Sequence, residues 1–389
     1  MCVHGVAPAP AAGRVTAMRR IRTYHQVEDS GDEVVAQVVA QQERLAARLA
    51  HVGSVIVVGS GKGGVGKSAV AANLAAALAS RGRRVGAVDA DLNGPTLARM
   101  LGAEPGPPRI DERGVEPAAG VAGVAVMSMD LLLPDDDAVL RWRRPGSTAA
   151  AGSDAPSEAA PGGAASALRG AADDERGGPP EALWQSLLEA GALREFIADT
   201  DWGARDDLVI DAPPGTDKLV RLIQLLPKLD AVVLITTPSA AARFVVAKSA
   251  RLLSEAGVRT GIVVNMSAHV CEACGHHSPL FDDGAGAGAD GTAAGMVDGS
   301  AAAAFALATG LPLWAEIPFD ARLARSTDAG RPFVLERPDA PAARAIVALA
   351  ERLAGASTAA AERGSRGSPS RAGLAKASEP DAIGRTASR

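Results

Sequence analysis

The sequence predicts an α/β protein in which a mostly parallel sheet lies between two layers of helices, three layers in all. Three observations carry that prediction. Short, continuous apolar runs recur along the chain, as in "SVIVVGS" from Ser54 and "DAVVLITTPS" from Asp230. Stretches of helical periodicity separate them, which is the pattern of strands buried on both faces. Aromatic residues make up only 3% of the chain, so the core must be built from Val, Leu, Ile and Ala.

The elements follow in order. Residues 1–32 read as a loose leader, with Met18 as an alternative start. "EVVAQVVAQQERLAARLA", residues 33–50, carries apolar positions at helical spacing. The main domain, residues 51–356, opens on "SVIVVGS", which runs into a glycine loop. An Ala-rich helix, "KSAVAANLAAALASRG", follows and ends on Gly82. "RVGAVDAD", "GVAVMSM", "DDLVIDAPPG", "DAVVLITTPS" and "TGIVVNMS" are the next strands, and "PLWAEIPFD" is the last. Low-complexity insertions at about 146–178 and 282–300 interrupt this rhythm, and residues 357–389 form a Ser/Arg/Ala-rich tail expected to be disordered.

Length alone, 389 residues, suggests two or three domains at ~150 residues each. The low-complexity stretches cannot offset the entropy of ordering, which leaves one sizeable α/β domain. A net charge of −5 argues against a nucleic-acid-coating protein, and no run of ~18 apolar residues is present to cross a bilayer. The first residues lack the basic start and apolar segment of a secretory signal. Three cysteines, two of them close-spaced, do not make a disulfide framework. A cytoplasmic protein in a reducing compartment is expected.

The glycine loop carries the first chemistry. Gly61 to Ser68 satisfy G-x-x-x-x-G-K-[ST], between a strand and a helix. Such a loop cradles phosphates with its backbone amides, here along Gly61, Lys62, Gly63, Gly64, Val65, Gly66, Lys67, Ser68 and Ala69. Lys67 would reach the outer phosphates and the Ser68 hydroxyl would bind magnesium. "LVIDAPPGT" reads as a Walker B strand, with Asp211 holding magnesium through water. Pro213, Pro214 and Gly215 follow as a switch whose backbone senses the terminal phosphate. "VDADLNGP" puts Asp89 and Asp91 at another strand end beside the loop; Asp89 reads as a supporting residue or a strand cap.

Cys271 and Cys274 form a C-x-x-C pair, and the third cysteine, Cys2, stands in the leader. A pair of this kind serves redox chemistry, zinc or an iron–sulfur cluster. Gly275 and Pro279 make a poor context for a thioredoxin-like helix. Zinc would recruit His276 or His277, in awkward geometry for one closed tetrahedron unless two chains share the ion. A cubane cluster typically takes four cysteines. Two chains related by a two-fold axis supply them.

The extra lysine, Lys62, makes the loop a deviant one, K-G-G-x-G-K-[ST]. It resembles the loop of the MinD/ParA/nitrogenase-iron-protein class of P-loop NTPases. The resemblance implies that Lys62 reaches across a homodimer to the partner's nucleotide, as an arginine finger does. It implies that Asp91 orients the attacking water, making Lys62 and Asp91 the catalytic pair, and that Asn265 reads the adenine edge. Pro318 and Phe319 would flank the base.

"GSGKGGVGKS", "DADLNGPTLARMLG", "DWGARDDLVIDAPPGT", "VVNMSAHVCEACGHH" and "EIPFDARLARSTDAGRP" together resemble the Mrp/ApbC family, over about residues 54–354 without the insertions. The cysteine segment is what selects that family. Membership implies a cytosolic ATPase that turns ATP and water into ADP and phosphate slowly. It also implies magnesium, a [4Fe–4S] cluster shared between subunits, and apo iron–sulfur proteins as recipients. Stable binding to nucleic acid or membrane is not expected. Ala69 stands where the family usually has Thr, Arg144 replaces a glycine, and "GTDKL" replaces "GTGD" after the switch, which bears on hydrolysis more than on binding. A MinD/ParA-like positioning ATPase and a zinc-bridged structural dimer are the competing readings.

Overall fold

A computed structural model describes residues 31–132, 181–280 and 301–365, apart from 105, 107, 108, 272, 273 and 275. Residues 1–30, both insertions and the tail beyond Ser365 lie outside the described residues. The first elements are α1 (Gly31–Leu49), β1 (Val52–Ser60), α2 (Lys67–Ala79), β2 (Val85–Asp89), α3 (Leu97–Met100), β3 (Ile110–Asp111), β4 (Gly114–Val115), β5 (Ala118–Ala119) and β6 (Ala125–Met127). Then come α4 (Glu181–Asp199), β7 (Arg205–Asp211), α5 (Thr216–Leu225), β8 (Ala231–Thr236), α6 (Ala240–Glu255), β9 (Thr260–Val270) and β10 (His277–Pro279). The last are α7 (Ala301–Thr309), β11 (Leu313–Phe319), α8 (Ala321–Asp328), α9 (Phe333–Glu336) and α10 (Pro341–Ser365).

The chain divides into two units, Met1–Gln41 with Arg141–Ala192, and Gln42–Leu140 with Leu193–Arg389. The described parts of the first are helical, the opening turns of α1 and α4. The second contains the sheet and every candidate site residue.

Among the described residues the main sheet has nine strands, in the order β10-β9-β8-β1-β7-β2-β6-β5, with β11 also paired to β9. All its pairings are parallel except β5 with β6 and β10 with β9. The expected mostly parallel α/β sheet is therefore present. Its central strands are buried along nearly their whole length, which is why they read as unbroken apolar runs. β1, β7 and β8 end together, because Val58 pairs with Asp211 and Ser60 with Ile235. β2 ends beside them, with Asp89 opposite Asp211. The site is set at this carboxyl edge.

α2 packs against α3, α8, α9 and α10, while α5 and α7 pack against α6. Its Ala-rich sequence suits both helix formation and close approach to the strands. Leu74, Leu78, Leu97, Leu101 and Ile56 are essentially inaccessible in this core, each contributing about 1.5–3 kcal/mol relative to exposure. Asn73 ties the C-terminal segment to α2. Its amide donates to Thr327 Oγ1 at 3.1 Å, and its carbonyl oxygen accepts from the Val334 N–H at 3.0 Å.

Two features differ from the sequence reading. α10 runs through Ser365, into residues read as tail, and the good helix formers Ala359, Ala360, Ala361, Glu362 and Arg363 continue the helix there. β3, β4, β5 and β10 span two or three residues each, too few to leave an alternating or continuous pattern.

Candidate functional site

The loop from Gly61 to Gly66 joins β1 to α2. No side chain caps α2; Gly66 stands at its N-cap with φ 80°, a left-handed conformation that glycine adopts without cost. The N-cap residue thus offers no side chain to the first-turn N–H groups, a setting that suits an anion. Among the described residues nothing lies within 4 Å of where side chains on Gly63 and Gly64 would begin, so there is free space beside the loop at both glycines.

Lys67 and Asp211 are buried together. The Lys67 ammonium is 2.5 Å from Asp211 Oδ1 and 3.2 Å from the Ser68 hydroxyl. Asp211 is fully inaccessible, and among the described residues its Oδ2 finds no hydrogen-bond partner. Burial pushes its carboxyl up from the ordinary range, while the Lys67 ammonium draws it down. A buried carboxylate with one oxygen unsatisfied, next to a serine hydroxyl, suits a hydrated divalent cation, so the residues present fit magnesium.

Asp89 is also buried, and its carboxylate holds the loop that follows β2. Oδ1 accepts from the Asp91 N–H at 3.0 Å, and Oδ2 accepts from Thr96 and Leu97 at 2.7 and 2.9 Å. Burial, with repulsion from Asp211 second, raises its pKa to about 7 despite those three donors. Asp91 is half-buried on the loop so held.

The switch segment is tied to β1 at both ends. Ala212 N–H donates to the Val58 carbonyl at 2.9 Å, and Gly215 N–H to the Ser60 carbonyl at 3.1 Å. Pro213 and Pro214 between them are half-buried. Lys62 is half-buried too, with its ammonium 3.4 Å from Ser239 Oγ just before α6. Asn265 is buried, and its Nδ2 donates to the Val65 carbonyl at 2.9 Å. Pro318 is half-buried and Phe319 partly exposed on β11.

Cys271 and Cys274 sit at the tip of the hairpin formed by β9 and β10. Val270 pairs with His277, and Cys271 N–H donates to the His276 carbonyl at 2.9 Å. Cys271 is half-buried and Cys274 exposed. Among the described residues no group of three or more His, Cys, Asp or Glu side chains is placed to hold a metal.

The structure thus gathers Gly61–Ala69, Asp89, Asp91, Asp211–Gly215 and Asn265 at one edge of the sheet, and sets the cysteines on an arm leading from it. The sequence reading missed Ser239 as the neighbour of Lys62, and the amides of Thr96 and Leu97 as partners of Asp89. Only the fold brings those groups together. The link from Asn265 to Val65 spans 200 residues and had no local signal.

Fold and loop together define a nucleotide-binding P-loop NTPase. Residues 51–152 and 178–354 match the ParA group described as NUBPL iron-transfer P-loop NTPases, and the chain belongs to that family. It is 31% identical to the iron–sulfur cluster carrier protein of Saccharolobus solfataricus, over 82% of this chain and 90% of that one. It is likewise 31% identical to the iron–sulfur cluster carrier protein of Methanocaldococcus jannaschii, over 77% and 84%. A solved nucleotide-binding protein of Archaeoglobus fulgidus, in complex with ADP, is similar at 28% identity and a TM-score of 0.52, covering 77% of this chain and 94% of that one. The family expected from the loop and the cysteine segment is the family found.

Proposed function

We propose that this protein is a cytoplasmic, ATP-hydrolysing carrier that holds an iron–sulfur cluster between two copies of itself and delivers it to apoproteins. The observation that carries the reading is the place of the cysteine pair. It lies at the tip of an arm continuous with the strand whose Asn265 grips the phosphate loop. Two thiols that belong to no larger group of metal-ligating side chains among the described residues suit a cluster completed by a second copy.

In this reading the nucleotide lies along Gly61–Ala69, with Asn265 at the base. A triphosphate draws the Lys67 ammonium away from Asp211. Asp211 and the Ser68 hydroxyl would then hold magnesium, which would supply charge neutralisation to the outer phosphates. Asp91, positioned by Asp89, orients the attacking water, and Lys62 leaves Ser239 for the nucleotide of the partner copy. Pro213, Pro214 and Gly215 move with the terminal phosphate. Hydrolysis is slow in this reading, and "TDKL" after Gly215, a departure from the family's usual switch, bears on its rate more than on nucleotide binding.

The test is anaerobic reconstitution with counting of iron, sulfide and zinc. About four iron and four sulfide per pair of chains are expected, in a dimer. The doubly substituted protein, Cys271→Ser with Cys274→Ser, should hold none. Unchanged cluster content in that variant refutes the site. Zinc without sulfide in the native protein would favour a structural dimer instead.

A further inference from the structure

We infer that Asn265 and Met266 form the joint through which the phosphate loop and the cysteine turn respond to each other; this rests on the nucleotide and thiol roles proposed above. Consecutive residues of β9 lie beside the loop. Asn265 Nδ2 holds the Val65 carbonyl, and the Met266 methyl lies 3.7 Å from where a Cβ on Gly66 would stand. The carbonyl that Asn265 grips belongs to the same planar peptide unit as the Gly66 N–H. A phosphate that turns this N–H toward itself must also turn the carbonyl. Asn265 therefore registers whether the cradle is filled.

The remainder of β9, from Met266 onward, is built to pass that movement on. Met266 has φ 57°, in the left-handed region, and it is one of two non-glycine residues with positive φ among those described. Here β9 breaks step with β11. Ile317 pairs with Asn265, but Phe319 pairs with His269, so β9 accommodates extra residues between the two pairings. Such a bulge bends a strand and re-aims the segment beyond it. In that segment, Ala268, His269 and Val270 are paired with β10, and the Cys271–His276 bond closes the turn. The arm is thus hydrogen-bonded up to the cysteines, and the backbone torsion at Met266 sets its direction. A shift of Asn265 moves the thiols. By linkage, whatever factor nucleotide imposes on the affinity of the thiols for a ligand, ligation of the thiols imposes on nucleotide affinity.

The experiment measures alkylation of Cys271 and Cys274 by iodoacetamide, resolved by peptide mass spectrometry, on reduced, cluster-free, full-length protein. Rates are compared with and without a saturating nonhydrolysable ATP analogue and magnesium, with occupancy measured on the same samples. The native protein should show a nucleotide-dependent change of roughly 5-fold or more, as expected where thiol reactivity follows the population of one arm position and nucleotide shifts that population. Met266→Gly, which frees the torsion, should reduce the change to less than about 2-fold at full occupancy. Met266→Asn, which tolerates the left-handed backbone, should retain it. Asn265→Ala, compared at saturation, should lose it. Full occupancy with unchanged thiol rates in the native protein overturns the inference and leaves the carrier reading standing. An undiminished response in both Met266→Gly and Asn265→Ala overturns it as well. No nucleotide binding by the native protein sinks both.

Discussion

The ammonium of Lys67 rests on the carboxylate of Asp211, 2.5 Å away, with 8% of one side chain and none of the other exposed. Two residues read as separate parts of a nucleotide site thus neutralise each other. Removing either partner leaves the other charged and buried. Lys67→Met or Asp211→Leu should each cost about 3–5 kcal/mol of stability in nucleotide-free protein, as broken buried pairs do. The double substitution should cost clearly less than the sum. Urea unfolding of the four proteins measures this, and additive losses would show that the pair is not coupled.

Lys62 makes a different kind of contact. Its ammonium is 3.4 Å from the Ser239 hydroxyl, a long hydrogen bond between half-buried groups that holds it only loosely. Lys62→Ala should therefore change folding stability by less than about 0.5 kcal/mol, the usual range for such positions. ATP turnover should fall by roughly 10²–10³, the loss seen when one donor to transition-state charge is removed. Steady-state hydrolysis and thermal unfolding on the same variant separate the two effects. Undiminished turnover would remove Lys62 from the chemistry.

The sheet was legible because its strands are buried on both faces and so leave continuous apolar runs, from "SVIVVGS" to "PLWAEIPFD". The gathering of Ser60, Asp89 and Asp211 at one edge follows from parallel strands that stop in register. The contacts that complete the site were not legible. Ser239 meets Lys62, and Val65 meets Asn265, only because the helices and strands between them pack as they do. Met266 gives no sign in sequence of its left-handed backbone, since a glycine or asparagine would be the usual marker. Strands as short as β5 and β10 owe their existence to a neighbouring edge rather than to their own composition.

Asn73 tests the packing of the C-terminal segment. Its side chain satisfies the Val334 N–H and meets Thr327, both buried, besides bonding the Ala69 carbonyl at 2.8 Å. Asn73→Ala leaves the Val334 N–H without a partner and opens a small void. A loss of about 1–3 kcal/mol is expected, measured by chemical denaturation. A change below that range would mean that α9 reorganises to find another acceptor.

Asp89 predicts how stability varies with pH in metal- and nucleotide-free protein. Its carboxyl, desolvated and close to Asp211, has a pKa raised to about 7 in the folded state, against about 3.9 in an unfolded chain. Between those values the folded protein holds a proton that the unfolded chain has released. Stability must therefore fall as pH rises through that window, and level off above it. This is opposite in sign to a salt-bridged carboxylate, which stabilises more as pH rises. Asp89→Asn keeps the volume and one acceptor but cannot ionise, so its stability should vary less between pH 5 and about 7.5 than that of the native protein. The urea midpoint of both proteins, followed across that range in EDTA, decides the matter. If both curves have the same slope, the proton is not on Asp89, and the three amides that face it outweigh its burial.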